Sequence, residues 1–585
     1  MRLQNIRFPE ADICREEELY FHRNGEWVDF NGYFNLFYIE KRKKYTNQES
    51  LTLHLEVNGC QAIRLMWDEN IIQEKALTGE KETLDLELPY RETEQGVFWF
   101  SVKKTDAGKE TENIGFDISN HIKGWYEGTC RNEKQVRIAA VVCTFKREPY
   151  VLRNLKSILQ FLERPENASL KLCYWLVDNG RTLSEHEEIS RLAARYPETV
   201  RIIPNRNVGG AGGFTRGMIE AIEEKERLGL THVQLMDDDA IMDPELFVRA
   251  YGFLGMRKDE WEDIRLGGTL LREDYPYICQ AMGEWFERFN VTNRLVMTDM
   301  RSFQNCQKPL IETPQDEYRM YSGWWCCCYS LNIVRKDNLP LPLFIHRDDI
   351  EYEIRNRETG IVFLNGFNVW HKGFEVNFLG TNAYYDVRNN LIFAALHEQD
   401  MPRIQMWKWI SKFIITAVLK MRYEEAYFSW RGVIDFMKGP EWLMGTDAER
   451  LNNQLRKHLP DTEPMEVEEQ PTLKELQRCY NPDRNKKQFW KKITFNGWFL
   501  PADKEVGILR PYDAPFSIFR KKRIELRDTG AKKKRAEVRE ERQLFKAAMY
   551  CINTWRILMV QYGKTQKEYK TKYEILKNEK LWIEK

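Results

Sequence analysis

From about residue 137 the chain alternates continuous apolar runs with amphipathic segments, and this alternation restricts the fold more than any other feature of the sequence. RIAAVVCTF (137–145) is the kind of unbroken apolar run a strand needs when both faces are covered. A helical stretch follows from Tyr150 to Leu162, with Leu152, Leu155, Ile158 and Leu159 on one face. Then come the strand KLCYWLVDNG (171–180), a helix from Ser184 to Tyr196, the short strand VRIIPN (200–205), a helix from Gly212 to Leu228, and the strand HVQLMDDDA (232–240). Strands and helices in strict alternation build a parallel α/β sheet. Ligands of such sheets sit beyond the carboxyl ends of the strands, so residues there are the first to ask about chemistry.

The flanks read differently. LTLHLEV (51–57), TLDLELP (83–89) and VFWFSVKK (97–104) are short strands between polar turns, which predicts a β-sandwich or jelly roll over residues 1–130. Beyond 395 the pattern is helical, with apolar residues at three- and four-residue spacing over 406–437 and charged amphipathic helices from about 533. A chain of 585 residues exceeds one core, so three domains are expected: 1–130, 131–395 and 396–585. The basic stretch Arg520–Arg542 reads as a solvated helix face or as a patch adhering to an anionic membrane. With 89 basic against 89 acidic residues the chain is no dedicated nucleic-acid binder. The 12 cysteines form no Cys-x-x-Cys pair; the run Cys326–Cys327–Cys328 reads as buried apolar residues in a reduced compartment. Neither a signal peptide nor an apolar run of 18 residues is evident, which predicts a cytoplasmic protein, peripheral to the inner face of the cell membrane.

Five motifs carry chemistry. Asp237-Asp238-Asp239 closes the strand at 232–240; alternation along a strand puts Asp237 and Asp239 on one side, where two carboxylates suit a hard divalent cation. NRNVGGAGGFTRGM (205–218) brings Gly209 and Gly210 to the start of a helix, where bare backbone suits a phosphate or merely tight packing. TFKR (144–147) sets Thr144, Phe145 and Arg147 at the first strand end, and VDNG (177–180) sets Asp178 at the second; these either meet a nucleotide or cap a turn. HRDDIEY (346–352) offers Asp348 and Asp349 as a general base or as helix caps. VWHKGFE (369–375) supplies His371, a structural histidine or a third metal ligand.

In this order the five motifs resemble the bacterial galactofuranosyltransferases that polymerise cell-wall galactan, inverting enzymes of the GT-A fold in glycosyltransferase family 2. The resemblance covers roughly 137–395 at motif level, and the flanking layout is similar too. It implies UDP-galactofuranose as donor and Mn2+ or Mg2+ as cofactor. It implies that Thr144, Phe145, Arg147, Asp178, Asn207, Gly209, Gly210 and Asp237 surround the donor, that Asp237, Asp239 and His371 hold the metal, and that Asp349, paired with Asp348, is the base. Glu284 and Trp324-Trp325 match the family's acceptor acid and tryptophans, the tryptophans being otherwise core. Two positions depart: Cys326 ends the tryptophan run early, and YYDVRNN has Asp386 where the family has histidine. Both border the acceptor, so acceptor and linkage follow least directly. The implied partners are a nucleotide-sugar donor and a glycan or lipid-linked oligosaccharide acceptor, with a homo-oligomer expected. Another sugar donor, UDP-galactose or dTDP-rhamnose, needs the same metal and base. A nucleotidyltransferase would carry a basic glycine-rich signature near the first strand, which TFKRE lacks. An inactive glycan-binding scaffold is disfavoured by the complete acidic set with its histidine.

Overall fold

The structure, a computed structural model, describes residues 1–104, 118–307, 320–467, 469–481 and 488–584. Its centre is built from β1 (Ile138–Thr144), α1 (Glu148–Leu162), β2 (Leu172–Asp178), β3 (Val200–Pro204), α2 (Gly209–Glu223), β4 (His232–Asp237), β5 (Ile241–Met242), β6 (Arg265–Arg272), β7 (Glu284–Glu287), β8 (Met320–Tyr321), β9 (Cys326–Ser330), α3 (Asp348–Arg355), β10 (Ile361–His371) and α4 (Asn382–His397). The main sheet runs β3-β2-β1-β4-β9-β6, with β10 beside β6 and β5. The first four strands are parallel, as the alternation predicts. Past β4 the sheet becomes mixed, because β9 runs antiparallel to both β4 and β6. β1 is flanked by β2 on one side and β4 on the other, so the crevice between their ends is the topological switch point of the sheet.

Burial follows from the sequence pattern. Every residue of β2 is buried, and so is every residue of β6 and β9. Cys326, Cys327 and Cys328 are free and buried, consistent with small apolar side chains on a doubly covered strand. Two carboxylates anchor the rear of α3. Fully buried Glu353 pairs with Arg265 of β6 and accepts hydrogen bonds from Tyr329 and, at 3.0 Å, Cys327 of β9. Glu351 accepts from Nε2 of His397 and the hydroxyl of Tyr573, both at 2.9 Å. Charges this deep persist only when paired, so the two pairs fix how α3 sits on the sheet.

The N-terminal region forms a four-stranded and a six-stranded sheet. Alternate residues of Ser50–Val57 point inward, and one apolar core takes in both sheets together with Leu271, Phe363 and Trp370 of the central strands. Towards the C-terminus, helices Arg403–Leu419 and Tyr423–Phe436 pack against α4 and later helices. The basic stretch at 520–542 departs from its helical reading. It is an antiparallel pair, Lys521–Asp528 with Lys533–Val538, and the last long helices begin at Glu541. The reason is a period of two: Ile524 and Leu526 face a small core with Leu509 and Ile518, and the turn between the strands holds Lys532 at φ 55°. No helix among the described residues is long and apolar enough to cross a membrane.

Candidate active site

Strand register brings two successive levels to the switch point: Thr144 lies beside Asp178, and Cys143 beside Asp237. The Thr144 hydroxyl donates to Oδ2 of Asp238 at 2.6 Å. Asn154 of α1 donates to the carbonyls of Asp238 (3.1 Å) and Ala240 (2.9 Å), pinning the acidic turn. Arg147, just before α1, donates to Oδ1 of Asp238 at 3.1 Å and also reaches Asp239. Phe145 beside it stands 40% exposed. Strand geometry ends at Asp237, so the alternation rule does not govern Asp239. Its neighbour Asp238 turns to Thr144 and Arg147, while Asp239 meets Arg147 and His371.

Pairing delivers His371 to the same place. β5 follows the acidic turn and pairs with β10 through Ile241 and Trp370, and His371 is the next residue, level with Arg272 of β6. Its Nε2 lies 3.4 Å from Oδ1 of Asp239, and its Nδ1 donates to the carbonyl of Lys372 at 2.6 Å. That second bond fixes the ring, so Nε2 is the nitrogen turned to the carboxylates. Burial pushes the Asp237 carboxyl up to about 7, helped by Asp239 and Asp238. Burial also pushes Asp239 upward, but His371 and Arg147 outweigh it and hold the group at about 2. The cluster therefore has more carboxylate than its two cations satisfy comfortably. Hard oxygens with one imidazole match the donor preferences of Mn2+ or Mg2+, and a cation would relieve the charge on Asp237. Among the described residues no three His, Cys, Asp or Glu side chains close around one point, so the donors are gathered without forming a finished cage.

A second acidic pair opens α3. The chain approaches it through left-handed backbone at Phe344 (φ 75°), His346 (φ 65°) and Arg347 (φ 68°), conformations that side-chain-bearing residues adopt at a cost. α4 holds this loop in place. Asp386 accepts from Nδ1 of His346 at 2.9 Å and pairs with Arg347 at 3.3 Å. Arg388 donates to the carbonyl of Leu343 (2.7 Å), and Asn389 donates to those of Ile345 (2.9 Å) and His346 (2.7 Å). Burial lifts Asp348 to about 7, with Asp349 adding repulsion, and burial raises Asp349 as well. Glu284 of β7 is likewise pushed to about 7, by burial first, despite hydrogen bonds from Tyr321 and Asn293; Asp349 adds to the rise. The two acidic groups flank Cys143, whose thiol is pushed far up by burial and then by Asp238, Asp237 and Asp348 together.

The glycines of α2 show why bare backbone is needed there. Gly209 sits at φ 75° with its missing side chain directed into the carbonyl of Phe344; Gly213 and Gly217 are pressed against Cys143 and Val141 of β1. A Cβ at any of the three would collide. Gly210 alone faces open space, with Oδ2 of Asp348 3.9 Å from where a Cβ would lie.

Residues 135–372 match a family model described as glycosyltransferase-like family 2. This segment spans the switch point, the acidic turn, the Asp348–Asp349 pair and His371. Residues 135–372 are a family 2 glycosyltransferase domain. The chain is 24% identical over 468 residues to galactofuranosyltransferase GlfT2 of Mycobacterium tuberculosis, covering 74% of this chain and 69% of that one. It is 25% identical to the protein of the same name from Mycolicibacterium smegmatis, covering 74% and 68%. Among solved structures, S. aureus TarS aligns at 14% identity and TM-score 0.32 over 55% of this chain and 52% of that one. GalNAc-T7 with UDP, GalNAc and Mn2+ aligns at 12% identity and TM-score 0.32 over 65% and 62%.

In this glycosyltransferase, Thr144, Arg147, Asp237, Asp239 and His371 come together, as do Glu284, Asp348 and Asp349. Other expected residues are placed differently. Asp178 is buried and spends both oxygens on its own turn, accepting from the amides of Gly180 (3.0 Å) and Leu183 (2.7 Å). Asn207 bonds Gly209 and Glu449 and lines a separate cavity of about 800 Å³. Trp324 is a core residue, 4% exposed, its indole N–H donating to Tyr329 at 2.8 Å and its ring packed by Phe214 and Tyr352. The core alternative therefore describes it, because β9 begins two residues on with both faces covered. Trp325 is half-buried and bonded to the carbonyl of Gly268; its ring lies 6.1 Å from that of Phe374, which neighbours His371. Asp386 is turned towards the loop before α3. His346, Arg347 and Tyr321 also belong to the site, beyond the residues expected from the motifs. The first two lie inside the HRDD motif and could have been found there; Tyr321 could not, because its link to Glu284 is made only by the β7–β8 pairing.

Proposed function

We propose that the enzyme is an inverting galactofuranosyltransferase that moves galactofuranose from UDP-galactofuranose to a growing cell-surface glycan. The observation that carries this reading is the meeting of His371 with Asp239 at the switch point, beside the Asp237 carboxyl, which burial and its acidic neighbours raise despite His371 and Arg147. The similarity to the two mycobacterial galactofuranosyltransferases supports the choice of sugar. Asp237, Asp239 and His371 would hold Mn2+ or Mg2+, which supplies positive charge against the donor diphosphate. Arg147 adds a second positive charge on that side, and Thr144 orients Asp238. Asp349 accepts the proton of the acceptor hydroxyl as its oxygen attacks the anomeric carbon from the face opposite UDP. A carboxylate raised by burial is a stronger base than one in water, which suits it to a weakly acidic hydroxyl. Glu284 and Trp325 border the acceptor. Asp349→Ala abolishes transfer and leaves UDP affinity unchanged in calorimetry; near-normal transfer by this variant rejects the base assignment.

The work divides over segments 1–130, 131–395 and 396–585, with donor and base in the middle one. The last segment carries the membrane contact. Residues 489–560 hold 17 Lys and Arg against 8 Asp and Glu in a chain of zero net charge. The same stretch exposes Phe489, Trp490, Phe499, Phe545, Ile552 and Trp555. Exposed aromatics among cationic side chains suit the headgroup layer of an anionic bilayer, which supports a peripheral position on the inner face of the cell membrane.

A further inference from the structure

His346 is held in a way the reaction described above does not use. Nδ1 of the ring donates to Asp386, and no hydrogen bond among the described residues occupies Nε2. The side chain is 29% exposed, which leaves the ring within reach of a ligand. Two other histidines spend Nε2 inside the fold: His22 bonds Asn31 and the carbonyl of Arg301 through its two nitrogens, and His397 gives Nε2 to Glu351. His346 also sits at φ 65°, and α4 holds that left-handed backbone by its carbonyl as well as its ring. Two residues on stands Asp348, whose charge reaches the imidazole.

We propose that His346 is an acceptor-binding residue: Asp386 locks its ring through Nδ1 so that Nε2 hydrogen-bonds a hydroxyl of the acceptor sugar beside the Asp348–Asp349 pair. The inference rests on the reading of Asp349 as the base for glycosyl transfer. The carboxylate of Asp386 also favours the protonated ring, which makes Nε2 a donor to a sugar oxygen. Asp386 is then a positioning residue acting through His346, and a position that would otherwise border the acceptor directly does so at one remove.

The test uses the full chain with UDP-galactofuranose and a synthetic galactofuranosyl disaccharide carrying an alkyl chain. His346→Asn keeps a residue that tolerates left-handed backbone but cannot reach as far. It raises the KM for the disaccharide about tenfold, the size expected for one hydrogen bond from a charged donor. The KM for donor and the slow hydrolysis of donor without acceptor stay at wild-type values. His346→Gln, which restores reach without charge, recovers part of the loss, and Asp386→Asn raises acceptor KM in the same direction with donor KM unchanged. An unchanged acceptor KM in His346→Asn, or equal changes for donor and acceptor, overturns the proposal. If the His346 variants behave as stated while Asp349→Ala still transfers, the base assignment fails and the acceptor contact stands. A wild-type enzyme that hydrolyses the donor but never transfers to the disaccharide rejects the galactofuranosyl acceptor and this contact together.

Discussion

Replacing Asp348 by Asn should stabilise the enzyme at high pH while leaving it unaltered in acid. Asp348 is 8% exposed at the start of α3, and burial together with Asp349 raises its carboxyl from 3.8 to about 7. Well below pH 3.8 the group is protonated in folded and unfolded chains alike, and at pH 4 its ionisation costs little. As pH rises towards 7 the unfolded chain ionises and the folded one resists, so stability falls through this window and stays low above it. A rise of about three units corresponds to about 4 kcal/mol at most, at about 1.36 kcal/mol per unit. Asp348 and Asp349 titrate as a pair, so one substitution recovers part of this, on the order of 2 kcal/mol. Asn keeps the shape and can still accept the local amide. For a domain of the central domain's size, about 2 kcal/mol corresponds to roughly 4–8 °C in midpoint. The assay is thermal unfolding of wild type and variant at pH 4 and pH 8.5, following the transition that UDP raises. Coincident midpoints at pH 4 and a variant several degrees higher at pH 8.5 are expected. A variant equal to or below wild type at pH 8.5 refutes the claim that repulsion and burial at α3 are held at the expense of stability.

Other perturbations probe separate parts of the argument. Asp239→Asn should remove the dependence of UDP binding on Mn2+, read by calorimetry with and without the ion, while Asp178→Asn, which touches only its own turn, should lower the melting temperature and leave that dependence intact. Glu353→Gln leaves Arg265 buried beside a neutral partner and should cost about 3–5 kcal/mol, seen as early unfolding in urea. Gly209→Ala should reduce soluble yield sharply, because both φ and the Phe344 carbonyl oppose a Cβ. Combined Trp490→Ala and Phe545→Ala should reduce co-sedimentation with phosphatidylglycerol vesicles at least tenfold without altering binding of UDP; unaltered sedimentation removes the membrane assignment from residues 489–560.

The parallel half of the sheet, its helices and the placing of Thr144, Asp178 and Asp237 at strand ends were legible in sequence because a doubly covered strand must be apolar throughout and its polar residues are driven to the ends. The same logic exposed the acidic turn and the glycine-rich helix start. Sequence could not say that β9 would run against its neighbours, that Trp324 would be enclosed, or that KKRIELRD and KKRAEV would pair, since each depends on which partner covers a face. Nor could it show Asp386 turned to His346. Those residues stand 40 positions apart, and only the docking of α4 on the loop before α3 brings the carboxylate to the ring. Local pattern fixes which groups are polar and near a strand end; long-range pairing fixes which of them meet, because hydrogen bonds and charges act over a few ångströms while the chain crosses the sheet many times.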